Sequence, residues 1–411
     1  MSEGTRKRPL RIAIVLDRFL PSRGGERYFS FLTEELAKRG HEVHVFATQA
    51  EADRGLPYKV HIIEGGKSSR AGRILALWRL DPERVAGGRF DVVHGVAQCR
   101  ASTVLNPHGG VERAYLRQEF ASIESPAYRA YRRIRRYLSP RHYLDTGLQA
   151  RLYAEGRVRR VIAISRMVKR DIIEHYAFPA DRIDVVFNTV DLDRFHPKNT
   201  QMHRTLTRGG LGIGDKAVLL LFAGNNFRLK GLPTLLKALS LLVRRSPGPD
   251  QRLLVAGRGR PGRYRRLLQR LGIADRVIFG GAQPSLEHVY GASDIYVHPT
   301  FYDSCSLTVL EALACGLPVV TTRFNGASDA IASREGGTVI DDPRDAEALA
   351  EAIAYYLPPE RRAAARPVAR SWMEAYPPSR NVEETESAYY ASLEEPPQGL
   401  PRALSALEER A

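Results

Sequence analysis

Cysteine is scarce in this chain. The three present (Cys99, Cys305 and Cys315) are odd in number and fall in no metal-ligand spacing. That argues against a disulfide-framed scaffold and for free thiols in a reducing cytoplasm. Long apolar runs are also missing. No stretch approaches the roughly 18 residues needed to cross a bilayer, so no spanning helix is expected. The opening MSEGTRKRPL is charged and has no apolar segment, and the reading expects no secretory signal there. Acidic residues are in deficit: 46 Asp and Glu face 62 Lys and Arg, a formal charge of +16. Such an excess forecasts an anionic partner, whether nucleic acid, phosphorylated substrate or acidic membrane surface. It is concentrated in ten arginines between Tyr128 and Arg160 and six between Arg258 and Arg270. Neither cluster carries the glycine-aromatic signature of the common RNA-binding modules.

What is present reads as an ordinary globular protein, with 43% hydrophobic and 26% charged residues. A length of 411 residues suits two domains of roughly 150 to 200 each. RIAIVL (11–16) is a β-branched run fit for a buried parallel strand, followed by a glycine turn, a helix over 26–39 ending at Gly40, and a strand over 41–48. This is the opening of a doubly wound α/β domain. Further strands are predicted at 91–95, 102–106, 161–165 and 183–188. The same grammar restarts with a strand at 217–225 and a helix at 232–242, then strands at 252–257, 276–281, 294–299 and 318–322. The expected division is a first domain over 1–195 with a basic insertion at about 126–160, and a second over 203–370. A linker is expected near His196 to Arg208, a last second-domain helix at Asp345 to Tyr356, a C-terminal helix over 376–395 that crosses back to the first domain, and a loosely ordered tail over 396–411.

Three segments have the residue types for phosphate chemistry. Pro21-Ser22-Arg23-Gly24-Gly25-Glu26 places paired glycines where a helix begins, so backbone N–H groups could approach a phosphate. It is not the dinucleotide fingerprint, and a glycine turn also serves structure alone. Gly224-Asn225-Asn226-Phe227-Arg228-Leu229-Lys230-Gly231 ends a strand with two cations two residues apart, at the edge where open α/β sheets hold ligands. Asp303 and Ser304 supply a helix N-cap, with the helix running to about Cys315. Glu311 follows Asp303 by eight residues, just over two turns, so both carboxylates could face one cleft. A capped surface helix remains the alternative.

Asp303-x7-Glu311 resembles the E-x7-E motif of the family-4 retaining glycosyltransferases of GT-B fold. The strings GLPVVTT, NTVDLDRFHP (188–197), FAGNNFRLKG and the Gly24-Gly25 turn agree with it, in order, over roughly residues 9 to 360. Within the family, the FRLKG string and the basic insertion are similar to the lipopolysaccharide-core glucosyltransferases that add glucose to heptose. The resemblance implies two Rossmann-like doubly wound domains with the active site in the cleft between them. It implies a metal-independent hexosyltransferase with no cofactor, using a nucleotide diphosphate sugar, UDP-glucose by analogy. Arg228 and Lys230 would meet the donor diphosphate and stabilise charge on the leaving nucleotide. Glu311 would take the ribose hydroxyls and Asp303 the sugar, with the amides of Ser306 and Leu307 on the phosphates. Asn225, Gly24 and Gly25 would complete the donor site, and His108 would face the donor sugar. Transfer would follow front-face attack, with the leaving phosphate taking the acceptor proton, so the two carboxylates are not a glycosidase pair. The family has Glu where this chain has Asp303, one methylene shorter, which leaves the donor sugar open.

In the insertion, Tyr131, Ile134 and Leu138 fall on one helical face and Arg129, Arg132, Arg133 and Arg136 on the rest, with Arg135 beside them. A basic helix with aromatic and aliphatic anchors suits an anionic membrane surface, and a solvated arginine-rich helix is the plainer reading. The expected partners are a nucleotide sugar, a lipid-linked or phosphorylated glycan and the inner face of the cytoplasmic membrane, with no nucleic acid. A sugar-nucleotide hydrolase or epimerase on the same fold competes with this reading. A nucleic-acid-binding protein would leave the motif order unexplained.

Overall fold

The structure, a computed structural model, describes residues 8–20, 24–51, 55–64, 69–155, 157–245, 250–331 and 333–396. The chain forms two compact units. The first comprises 1–114, 133–188 and 379–411, and the second 115–132 and 189–378.

Seven parallel strands build the first unit: β1 (Arg11–Phe19), β2 (Glu42–Ala50), β3 (Lys59–Ile62), β4 (Val92–Gly95), β5 (Val104–Leu105), β6 (Arg160–Ala163) and β7 (Ile183–Val185). Their order is β3-β2-β1-β4-β5-β6-β7. β1 is central because Ile12, Ala13, Ile14 and Val15 are buried on both faces of the sheet. The helix Pro378–Glu394 belongs to this unit from Ser379 on. Val382, Ala388 and Tyr389 join its core, and the Tyr389 hydroxyl lies 2.6 Å from His94 Nδ1.

Six parallel strands build the second unit: β8 (Val218–Ala223), β9 (Gln251–Ala256), β10 (Val277–Gly281), β11 (Ile295–His298), β12 (Val319–Thr322) and β13 (Gly337–Ile340). The order β10-β9-β8-β11-β12-β13 reverses between β8 and β11. In open α/β sheets the ligand crevice lies beyond the carboxyl ends of the strands at such a reversal. β8 is buried at every residue, and the helix Leu232–Arg245 covers the sheet with Leu232, Leu235, Leu236, Leu239 and Leu242 on one stripe.

Several elements depart from expectation. β3 and β13 escape a pattern search because each is a four-residue edge strand with mixed exposure. The segment expected as a linker is the helix Asn199–Gly210. Its buried residues are Asn199 and Arg208, so no apolar stripe announces it. The second unit also continues past the helix Ala346–Ala354 into a further 17-residue helix, Pro359–Ala375. Asp303 and Ser304 do not cap the helix beyond them, which runs Leu307–Ala314 with Ser306 at the cap. All three cysteines are free and buried. Among the described residues no helix is long and apolar enough to cross a membrane. From residue 397 the expected tail lies outside the described residues.

Candidate donor site

The loop from Gly224 to Gly231 leaves the carboxyl end of β8 and turns at once into the helix Leu232–Arg245. Two glycines make this turn possible. Gly231 sits at φ 80°, and a Cβ there would lie 2.0 Å from the Pro299 carbonyl oxygen. Gly257, at φ 134°, lets the loop after β9 pass against Gly224, whose carbonyl would be 1.9 Å from a Cβ. Both approaches need the missing side chain. Asn225 is exposed and accepts a hydrogen bond from the Arg258 N–H at 3.0 Å.

The tight turn delivers Lys230 to the segment beyond β11. Its Nζ lies 2.5 Å from Asp303 Oδ2 and 3.3 Å from the Tyr302 carbonyl. His298, the last residue of β11, brings Nε2 to 3.4 Å from the same carboxylate oxygen. The Asp303 backbone is pinned from both sides: its N–H donates to the Phe324 carbonyl at 2.9 Å, and its carbonyl accepts from Gly326 at 2.8 Å. Burial by itself would raise the Asp303 carboxyl, but the Lys230 ammonium, aided by His298, holds it well below the ordinary carboxylate range. Burial pushes His298 the other way, below its usual value, so it is neutral at pH 7. The cluster is therefore one ammonium against one carboxylate, with a neutral imidazole beside them.

Asn325 organises the next turn. Its side-chain oxygen accepts from the N–H groups of Ser306 and Ala327 at 3.2 and 3.1 Å. The helix beyond starts at Leu307, and Glu311, one turn on, accepts a hydrogen bond from the Tyr290 hydroxyl at 2.9 Å. Burial, strengthened by the Glu311 carboxylate, raises the Tyr290 hydroxyl far above its ordinary range and keeps it a donor. Tyr296 donates to Thr308 Oγ1 at 2.7 Å and lies 3.2 Å from His298 Nδ1, which joins the two halves of the site.

Arg228 has a different partner. Its guanidinium donates to the Glu119 carbonyl at 2.9 Å, to Glu119 Oε1 at 3.1 Å and to the Ser122 hydroxyl. Glu119 Oε1 also accepts from Arg132 at 3.0 Å. One carboxylate thus joins Arg228 of the loop after β8 to the basic helix Pro126–Tyr137. Arg129 donates to the Ile123 carbonyl at 2.9 Å, and Arg136 pairs with Glu112 and Asp145 at 2.8 and 3.1 Å. Arg133 and Arg135 are exposed. The apolar face of this helix is turned outward, with Tyr131 54%, Ile134 61% and Leu138 78% exposed.

Lys230, Asp303, Ser306, Leu307 and Glu311 therefore gather around the carboxyl ends of β8 and β11. His108 belongs to the first unit, where its ring stacks on Tyr28 at 5.5 Å between centroids. Gly24 and Gly25 are the first residues of the helix Gly24–Lys38, and the turn residues 21–23 lie outside the described residues. Sequence reasoning missed His298, Tyr290, Asn325 and Glu119. His298 had a signal, a polar residue at the carboxyl end of a strand beside the sheet's reversal point. Glu119 had none, standing 109 residues from Arg228.

Residues 204–372 match the family described as Glycosyl transferases group 1, and residues 22–194 match Glycosyltransferase Family 4. The lipopolysaccharide glucosyltransferase WaaG of Escherichia coli (strain K12) is 25% identical over 390 residues, 92% of this chain and 95% of that protein. A crystal structure of WaaG, described as a glycosyltransferase involved in lipopolysaccharide biosynthesis, superposes with a TM-score of 0.72 at 23% identity, covering 92% of this chain and 98% of that one. The Anabaena protein HepE, solved with UDP and glucose, superposes with a TM-score of 0.67 at 16% identity, covering 92% of this chain and 98% of that one. Two parallel Rossmann-like sheets of this kind are the GT-B fold. The chain belongs to the family-4 glycosyltransferases and is a nucleotide-sugar-dependent hexosyltransferase.

Proposed function

We propose that this enzyme moves glucose from UDP-glucose to a lipid-linked glycan such as a lipopolysaccharide core, working at the anionic inner face of the cytoplasmic membrane. The observation that carries the donor half is the Lys230–Asp303–His298 cluster at the carboxyl ends of β8 and β11. Lys230 and Arg228 stabilise the diphosphate as negative charge grows on the leaving oxygen, the moment at which a preorganised cation contributes most. Asp303 takes a sugar hydroxyl and keeps Lys230 aimed, while Glu311, fixed by Tyr290, accepts from the ribose. The amides at Ser306 and Leu307 meet the phosphates at the helix start. Gly24, Gly25, Asn225 and His108 complete the donor contacts. The acceptor oxygen attacks the anomeric carbon on the face from which UDP departs. The bond between that carbon and the phosphate oxygen breaks, and the acceptor proton passes to that oxygen. The names of WaaG and of the HepE complex support the choice of UDP, glucose and lipopolysaccharide.

The outward apolar face of the helix Pro126–Tyr137 supports the membrane half. Burying three such side chains in the interface would be favourable by several kcal/mol, and Arg133 and Arg135 would each add about 1 kcal/mol on an anionic surface. Incubation with radiolabelled UDP-glucose and a lipid-linked core acceptor tests the whole reading. Label transferred only when acceptor is present supports it. Free glucose released at the same rate without acceptor would overturn it in favour of a hydrolase.

A further inference from the structure

At the amino end of β11, the opposite edge of the sheet from the donor loop, four arginines gather near one carboxylate and three of them contact it. Asp294, which precedes β11, is buried. Its Oδ2 takes Arg208 Nη2 at 2.5 Å and the Leu219 N–H at 2.8 Å, and its Oδ1 takes Arg204 Nη2 at 2.9 Å with Arg362 Nε at 3.9 Å. Arg204 and Arg208 stand one turn apart on the helix Asn199–Gly210, and Arg362 and Arg366 one turn apart on the helix Pro359–Ala375. Arg366 donates to the Thr200 hydroxyl at 3.2 Å. Burial, then the charges of Arg204 and Arg362 against the pull of Asp294, brings the Arg366 guanidinium below its ordinary value.

Guanidinium groups do not discharge at any accessible pH. Four of them around one carboxylate leave three positive charges, and partly buried unpaired charge is costly. Arg208 is spoken for. Besides Asp294 it donates to the carbonyls of Ala292, Gly214 and Ala217 at 2.9 to 3.0 Å. Arg204 also donates to the Ala292 carbonyl at 3.3 Å, and Arg362 to the Tyr356 carbonyl at 3.1 Å and to that of Leu357, but these two and Arg366 stay partly exposed.

We infer that Arg204, Arg362 and Arg366, with the Thr200 hydroxyl, bind a tetrahedral phosphate-type dianion at a site separate from the donor loop. Planar guanidinium forks from two helices match such an ion in charge and donor geometry. β11 alone puts roughly 13 Å between the two edges, so one anion does not reach both sites.

The full chain is melted with inorganic phosphate titrated against chloride at matched ionic strength, in the presence of saturating UDP. The expected result is a saturable rise of roughly 3 °C at tenfold saturation, lost in Arg366→Gln while the separate shift produced by UDP persists. A parallel arm with glucose 6-phosphate separates the sources. A response to inorganic phosphate alone assigns the free ion, and a response to both assigns any phosphate monoester. No rise in the native chain beyond that from chloride, or an equal rise in Arg366→Gln, overturns the site. Should Arg366→Gln not fold, 31P line broadening on the native chain and on Thr200→Val decides. Broadening that weakens in Thr200→Val supports the site, and equal or absent broadening overturns it. Because phosphate is read apart from UDP, failure here is distinguishable from failure of the donor assignment.

Discussion

Replacing Lys230 with alanine separates the donor reading from a purely structural one. Lys230 and Asp303 are 19% and 17% exposed, and their charged atoms meet at 2.5 Å. Removing the ammonium strands a mostly buried carboxylate with only neutral His298 at 3.4 Å. Breaking a fully buried pair costs about 3 to 5 kcal/mol, and partial exposure brings the expected stability loss to about 2 to 3 kcal/mol. Loss of one preorganised group that stabilises transition-state charge lowers kcat by about 10²- to 10³-fold. The effect should fall on kcat, because charge on the leaving oxygen exists only in the transition state. Melting across pH checks the pairing independently. The folded-state pKa of Asp303 is depressed, so its stabilisation is present above the unfolded carboxyl value of about 4 and is lost as pH falls toward the folded one. The melting gap between native and Lys230→Ala should be widest at about pH 8 and narrow on acidification, first as the unpaired, buried Asp303 protonates in the variant and then below about pH 4 as the native pair is lost. Asp303→Asn combined with Lys230→Ala should recover part of the stability but none of the turnover, since no lone charge remains buried. UDP release followed with a lipid acceptor reads the turnover. Near-native kcat in folded Lys230→Ala refutes the donor role, and a gap that ignores pH refutes the pair.

Gly231→Ala should cost about 2 to 4 kcal/mol, because φ of 80° and the Pro299 carbonyl leave no room for a Cβ; an unchanged melting temperature would contradict this. Glu119→Gln should lower kcat/KM for the donor by about tenfold through looser Arg228 placement, as read in initial-rate kinetics with donor varied. Changing Tyr131, Ile134 and Leu138 to serine should release the protein from phosphatidylglycerol vesicles in sedimentation while leaving UDP binding intact; equal sedimentation counts against the membrane face. Burial and the neighbouring Asp145 carboxylate push Glu112 up to about 7 despite Arg136. Its folded pKa is raised, so its stability contribution is present below about 4.5 and lost as pH rises through 7. Glu112→Gln should therefore narrow the difference between melting temperatures at pH 5 and pH 8.

The difference between what the sequence foretold and what it concealed follows from how each signal is carried. β8 and the helix after it are legible because VLLLFA is buried throughout and the leucines that follow recur at helical spacing. The loop between β8 and that helix is legible because its signals are local: glycine where φ is positive, and lysine and arginine two residues apart. The helix Asn199–Gly210 is not, since its inward side chains are polar and Arg208 satisfies its charge on Asp294, 86 residues away. The basic helix shows the same limit. Its helical pattern could sort arginines from apolar residues but could not say which side faces water. Glu119, Glu112 and Asp145 decide that by drawing Arg132 and Arg136 inward, so Tyr131, Ile134 and Leu138 are left outside. The carboxylates that orient this helix, and through Glu119 also hold Arg228, carry no motif of their own. Their meaning exists only in the fold.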